Sequence, residues 1–222
     1  MIDSSQQRIN MVESQVRPSD VTDRRIIRAM LAVPREAFVP AGLRALAYMD
    51  EAVPAADGAG TPERCLLAPR TFAKLVQLAE IGADAAVLDV GCCTGYSTAV
   101  LSRLAKAVVA VEVDAGLAAA AGRILRQQDV NNAVVIEGPL EKGAPSHAPF
   151  AAILLNGAVA QVPDALLGQL KDGGRLVGIL ANGGFGRACV WQRTGSVVDS
   201  RPVFDAAAPP LPGFARTVEF VL

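Results

Sequence analysis

The stretch from Val87 to Glu112, VLDVGCCTGYSTAVLSRLAKAVVAVE, constrains this chain more than any other. Val87 to Val90 is an apolar run holding one carboxylate, Asp89. A turn with Gly91 and Gly95 follows, then a helix-compatible segment, then the apolar run Val108 to Val111. This pattern predicts strand, turn, helix and second strand. Parallel strands need a crossover of about a dozen residues, and Gly91 to Ala107 supplies one. Glu112 then ends the second strand on the side where an open α/β sheet holds its ligands, so turn and acid face one pocket. The chemistry suggested is binding of a nucleoside-bearing cofactor. Glycines admit close backbone approach, helix-start N–H groups point at the ligand, and an acid accepts from two ribose hydroxyls.

The glycine spacing narrows the class. A dinucleotide fingerprint reads G-x-G-x-x-G, whereas Gly91 is followed by Cys92, Cys93, Thr94 and Gly95, leaving the middle and last glycines unmatched. A phosphate-gripping P-loop fails too, since no Gly-Lys-Ser/Thr follows. The turn resembles motif I of the S-adenosylmethionine-dependent methyltransferases, an acid-Val/Ile-Gly-x-Gly-x-Gly turn with a second acid closing the next strand. Asp89, Gly91, Gly95 and Glu112 match it. Cys93 stands at the middle glycine and places a Cβ and a sulfur where the motif has bare backbone. The plainer alternative is an ordinary βαβ turn without a ligand.

Composition excludes several other classes. With a net charge of −1 and basic residues scattered except for Arg24, Arg25 and Arg28, the chain has no electrostatic footprint for nucleic acid. The four cysteines form no C-x-x-C pair, and the one histidine, His147, completes no zinc set, so no structural metal is expected and the thiols are read as reduced. No uncharged apolar run approaches the ~18 residues of a membrane span, and the polar start lacks a signal core. A cytoplasmic protein is expected, with no membrane partner. Its 222 residues suit a single domain.

Residues 1–50 read as helical, with Asp20 or Thr22 capping a segment through Ala32 whose Ile26, Ile27, Met30 and Leu31 share a face. Residues 52–64 form a loop. A helix is predicted over Thr71–Ile81, stopped by Gly82. Beyond Glu112 come a helix over Leu117–Gln128, a strand over Ala133–Ile136 and another over Ala151–Leu155 that ends at Asn156-Gly157. A helix around Asp164–Leu170, a turn at Lys171–Gly174 and a strand over Arg175–Leu180 follow. Ala188–Arg193 and Val218–Leu222 read as further strands making an antiparallel edge.

Taken together, MVESQVR, AMLAVPREAFVP, AYMDEAVP, VLDVGCCTGYSTAVLS, VEVDAGLAAAA, APFAAILLNGAV, VPDALLGQLKDGGRLV and the closing VEFVL resemble the protein-L-isoaspartate O-methyltransferases over nearly the whole chain. The resemblance implies an α/β, Rossmann-like fold: a seven-stranded, mostly parallel sheet with an antiparallel C-terminal edge and N-terminal helical additions. One domain is implied, residues 1–69 carrying those helices and a substrate-side loop, 70–222 the cofactor-binding core. Methyl transfer from S-adenosyl-L-methionine to a protein or peptide carboxylate is the implied activity. The alternatives are another acceptor, or a cofactor-binding protein with weak or no turnover.

The same resemblance assigns a cofactor side comprising Asp89, Gly91, Cys92, Cys93, Thr94, Gly95, Tyr96, Ser97, Glu112, Val113, Gly138, Pro139, Leu140 and Asn156. Leu66, Leu67, Ala68 and Pro69 form the substrate side. No catalytic residue is named. Departures are concentrated there: the family's Ile-Ser-Gln/Ala-Pro reads Leu66-Leu67-Ala68-Pro69, so the serine is Leu67. The family's Gly-Asp-Gly after the third strand keeps Gly138 alone, and its Asp before the fourth is Ala151. Cys92 and Cys93 read as small buried side chains, or as redox-sensitive thiols if exposed near helix N–H groups. His147 is read as solvated.

Overall fold

The computed structural model describes residues 3–55, 64–182 and 185–215. Helix α1 (Ser4–Met11) runs through a π turn at Val12–Val16 toward α2 (Arg24–Ala32). Asp23 caps α2 by accepting from Arg25 N at 2.8 Å. The cap is not Asp20, because that residue has φ 62 and closes the preceding 3-10 turn. Two-residue strands β1 (Val53–Pro54) and β2 (Cys65–Leu66) pair antiparallel. They lead into α3 (Pro69–Leu78), whose first turn accepts Pro69 because an N–H there would have no helical partner. It ends before Ile81, since Glu80 already takes a left-handed φ of 46 ahead of Gly82.

The central βαβ unit folds as predicted: β3 (Ala86–Val90), the six-residue α4 (Tyr96–Leu101) and β4 (Ala107–Glu112). Then come α5 (Ala115–Gln127), capped by Asp114 on Leu117 N at 2.8 Å, and β5 (Ala133–Glu137). Strand β6 (Phe150–Val159), the single turn α6 (Asp164–Leu167) and strands β7 (Leu170–Asn182), β8 (Phe185–Thr194) and β9 (Val197–Asp205) follow. The seven-stranded sheet has the order β5-β4-β3-β6-β7-β8-β9. Pairing is parallel from β5 to β7 and antiparallel for β8 and β9. The chain winds outward from β3 to β5, then returns to the other side of β3, so the strand order reverses between β3 and β6. Open α/β sheets place their ligand crevice at that point.

Both faces of the inner strands are covered, which is why they read as continuous apolar runs. Val87, Ala152 and Val177 pack with residues of α1 to α5, while Leu88, Ile153 and Leu176 pack with α6, Leu140, Leu211 and Phe214. Strand β6 does not turn at Asn156-Gly157. It continues to Val159 because residues 209–211 pair with it, Pro209 O accepting from Ala158 N at 2.9 Å and Leu211 N donating to Ala158 O at 2.8 Å. The predicted turn at Lys171–Gly174 is instead a bulge within β7, between the pairs Phe150/Leu170 and Ala152/Arg175. The helix predicted to reach Leu170 stops at Leu167, since Leu170 pairs with Phe150. Strand β9 was not anticipated, and the closing strand predicted at Val218–Leu222 lies outside the described residues.

Candidate active site

At the switch point the turn after β3 is shaped by two left-handed glycines, Gly91 at φ 75 and Gly95 at φ 96. Gly95 also has a packing reason: a Cβ there would lie 3.3 Å from Ala121 Cβ and Leu125 Cγ, so α4 and α5 approach closely only because it is bare. Cys93 takes a left-handed φ of 52, which costs an L-residue roughly 1 to 2 kcal/mol. Its backbone N donates to Glu112 Oε2 at 2.7 Å, and its thiol turns to the Cys65 carbonyl at 3.3 Å. Cys92 and Cys93 are both buried, and burial pushes Cys92 well above an ordinary thiol and Cys93 up to about 12. These thiols are neutral and unreactive at neutral pH.

Asp89 is fully buried, and Ser97, Thr98 and Asn156 converge on it. Ser97 and Thr98 hydroxyls donate to Oδ2 at 2.7 and 2.6 Å, and Asn156 Nδ2 donates to Oδ1 and to the Val90 carbonyl. Burial raises the carboxyl above its usual range, against the pull of those donors. Ser97 and Asn156, expected on the cofactor side, thus spend their hydrogen bonds fixing Asp89 and the β3–β6 seam. Thr94 likewise donates to the Phe38 carbonyl, tying the turn to the VPREAFVP segment.

Glu112 stands at the end of β4 facing the turn, with no exposed side-chain surface, and its partners are already present. Arg64, itself 3% exposed, donates from Nη2 to Oε2 at 2.8 Å and from Nε to Oε1 at 3.3 Å. Backbone N–H groups of Val113 and Asp114 add bonds to Oε1 at 3.0 and 3.3 Å. The guanidinium lies against Gly91 so closely that a Cβ there would sit 2.6 Å from Nη2. Leu211 covers the same glycine from the other side. What remains is a cavity of about 10 Å³ whose lining includes Arg35, Leu66, Leu67, Gly91, Tyr96 and Asn156.

The other expected residues are placed differently. Val113 is 42% exposed at the crevice rim. Gly138 N extends the ladder to Glu112 O at 2.9 Å, and a Cβ on Gly138 would meet nothing within 4 Å. Leu140, three residues beyond the end of β5, is fully buried in the layer with Phe150 and Leu166, so its side chain is not offered to a ligand. Leu66 and Leu67 are core, with Leu67 packed in the helical layer and its carbonyl accepting from Arg35 Nη2 at 2.7 Å. Ala68 and Pro69 form the start of α3. His147 is exposed. Sequence reasoning missed Arg64 and Arg35 as site residues. Arg64 follows an Ala/Gly/Pro-rich segment with no local pattern, and Arg35 sat in a quoted motif without a role.

Known proteins resemble this chain in sequence and in fold. The family model described as protein-L-isoaspartate(D-aspartate) O-methyltransferase matches residues 6–195. Protein-L-isoaspartate O-methyltransferase 2 of Shewanella sediminis is 38% identical over 175 residues, covering 79% of this chain and 70% of that one. Protein-L-isoaspartate O-methyltransferase 1 of Geotalea uraniireducens is 40% identical over 157 residues, covering 71% and 69%. Among solved structures, a protein-L-isoaspartate O-methyltransferase superposes with TM-score 0.83 at 22% identity, covering 95% of this chain and 66% of that one. A candidate member from Plasmodium falciparum, in complex with S-adenosyl-L-homocysteine, gives 0.75 at 15% identity, covering 95% and 99%. These two share the fold, and the sequence matches carry the kinship: the chain belongs to the protein-L-isoaspartate(D-aspartate) O-methyltransferase family of S-adenosylmethionine-dependent enzymes.

Proposed function

We propose that this chain transfers a methyl group from S-adenosylmethionine to the carboxylate of isoaspartyl residues in proteins or peptides. Its cofactor seat is formed by Gly91, the Cys92–Gly95 turn, Glu112 and Val113. The observation that carries this reading is the meeting of a buried acid, a bare glycine and the substrate-side strand β2 at the β3–β6 switch point. These residues fit a ribose on one condition: Glu112 accepts from ribose hydroxyls only after Arg64 has left it. Bound there, the cofactor supplies an electrophilic sulfonium methyl.

The chain's own part is alignment and exclusion of water. An acceptor carboxylate, with an ordinary pKa near 4, is already ionised at neutral pH, so no general base is required. Leu66, Leu67 and Phe72 wall the cavity with apolar surface, which would keep a reacting pair dry once the crevice has opened to admit it. Among the described residues no helix is long and apolar enough to cross a membrane. A cytoplasmic enzyme acting on damaged protein chains, working as one unit over 1–222 without nucleic acid, is the setting this reading implies.

A second reading is favoured by the Arg64–Glu112 pair itself: a family member in which the guanidinium permanently holds the ribose seat and turnover is lost. Calorimetric titration with S-adenosylmethionine, followed by methyl transfer to an isoaspartyl peptide and to its aspartyl isomer, decides between them. Binding together with transfer to the isoaspartyl peptide alone supports the first. Absence of binding defeats it.

A further inference from the structure

Arg35 opens the 3-10 turn Arg35–Phe38, and that turn carries it completely out of solvent. Two of its three nitrogens are engaged. Nε donates to the Ala47 carbonyl and Nη2 to the Leu67 carbonyl, both at 2.7 Å, while Nη1 has no partner among the described residues. No ion pair among those residues includes it either. Its Cζ lies 4.7 Å from the centre of the Tyr96 ring, which is wedged between Phe38 and Phe72 with centroids 5.8 and 5.7 Å away. Tyr96 is 2% exposed, and its hydroxyl is also unpartnered.

Both side chains line the 10 Å³ cavity that also touches Leu67, Gly91, Cys93 and Asn156. A void of that size holds about one water. Water alone would satisfy the two orphaned atoms, yet it would leave a buried guanidinium with no ion-pair partner in contact among the described residues, an arrangement folded proteins rarely keep. The Tyr96 ring and its nearby hydroxyl, two carbonyls and, at longer range, Asp50 soften that deficit, and burial still pulls the guanidinium below its usual pKa. With Nε and Nη2 already engaged, the guanidinium offers one open N–H beside a phenol hydroxyl, and a carboxylate oxygen is the ligand atom that suits a cationic donor and a hydroxyl together. The position is also apt: Arg35 and Tyr96 line the same cavity as Gly91 of the turn and Leu67 of the substrate-side segment.

We propose that Arg35 and Tyr96 form a carboxylate-binding site at the inner end of the crevice. It takes either the methionine-end carboxylate of the cofactor or the carboxylate of the acceptor. This rests on the methyltransferase reading of the crevice. Tyr96→Phe is the decisive variant, because it removes one oxygen and keeps the ring that Arg35, Phe38 and Phe72 pack on. Arg35→Lys is the companion, keeping charge and losing the fork.

Native protein and both variants are titrated calorimetrically with four probes. These are S-adenosyl-L-homocysteine, its carboxylate-free relative 5′-methylthioadenosine, an isoaspartyl peptide, and that peptide with the free carboxylate made a carboxamide. In both variants affinity for one carboxylate-bearing probe falls roughly ten- to hundredfold, the loss of one charge-assisted bond, and its neutral relative binds as before. Which pair responds identifies the source. The unfolding midpoint of Tyr96→Phe stays level or rises, as it should when a buried unpaired hydroxyl is removed. Tyr96→Phe binding all four probes as the native chain does would overturn the inference and leave the cavity to water. Native protein binding none of the four would overturn the proposed function and this site together, so the two failures are distinct.

Discussion

Two arginines from the N-terminal third reach the crevice, and the chain treats them oppositely. Arg64 is matched inside the protein: a carboxylate takes its charge, and that carboxylate's remaining capacity is filled by backbone N–H groups. Arg35 is equally buried and has carbonyls, an aromatic face and one open N–H. On the proposed reading, one guanidinium stands where a ribose is due and the other where a ligand charge would complete it, so the crevice is blocked at one end and ready at the other.

The comparison breaks most visibly at Glu112. Glu112→Ala strands Arg64 as a buried charge and removes the acceptor of several backbone donors, so a loss of about 3 to 5 kcal/mol is expected in urea unfolding at pH 7. A change under about 1 kcal/mol would mean that the pair reorganises into water at little cost. Arg64→Ala should cost less in stability, because Glu112 keeps its N–H donors. It should also move cofactor affinity the other way, tightening S-adenosylmethionine roughly ten- to hundredfold by removing the competitor for the seat. Weaker binding in that variant would make Arg64 a cofactor contact.

Leu67→Ser tests the other end. Deleting a buried leucine side chain should cost about 3 kcal/mol. With Arg35 and Tyr96 serving the carboxylate, KM for an isoaspartyl peptide should stay within about twofold of native. A large fall in KM would move the acceptor's contact from that pair to residue 67. Cys93→Gly is the smallest change. Relief of a left-handed residue, worth about 1 kcal/mol, offsets lost sulfur packing and greater chain entropy. The unfolding midpoint and S-adenosylmethionine affinity should both stay near native, since the thiol faces the Cys65 carbonyl. Markedly tighter binding would show that the sulfur crowds the ligand.

Strands β3, β4 and β6 and helix α5 were legible because burial on both faces, or on one stripe, writes itself as a run or a period, whereas the half-exposed edge strand β5 was legible from its β-branched run Val134–Ile136 alone. Strand β9 was not legible. It lies at the sheet's edge with most of its residues exposed, so neither face imposes an apolar alternation. The usable signal was the Gly195 turn between β-branched neighbours. Glu112 was readable from its place at a strand end, but its partner was not. Arg64 meets it through the tertiary fold, and no local periodicity records which charge will be brought to which. Asn156 had the right location and a different duty: the continuation of β6 depends on residues 209–211, far along the chain.

That last contact also restricts how the sequence can drift. A Cβ on Gly157 would fall 2.7 Å from Leu211 Cγ and 2.9 Å from the Pro209 carbonyl, while one on Gly91 would meet both Arg64 and Leu211. Positions 91, 157, 64 and 211 are therefore coupled through packing. At 157 even alanine is closed to the chain until the leucine has shrunk and the 209–211 segment has stepped back, and the reverse order breaks the fit. Paired randomisation of 157 and 211, selected for folded protein, should return glycine at 157 wherever leucine stays at 211. The shape of the crevice thus depends on which of two substitutions comes first, and not only on which side chains are present.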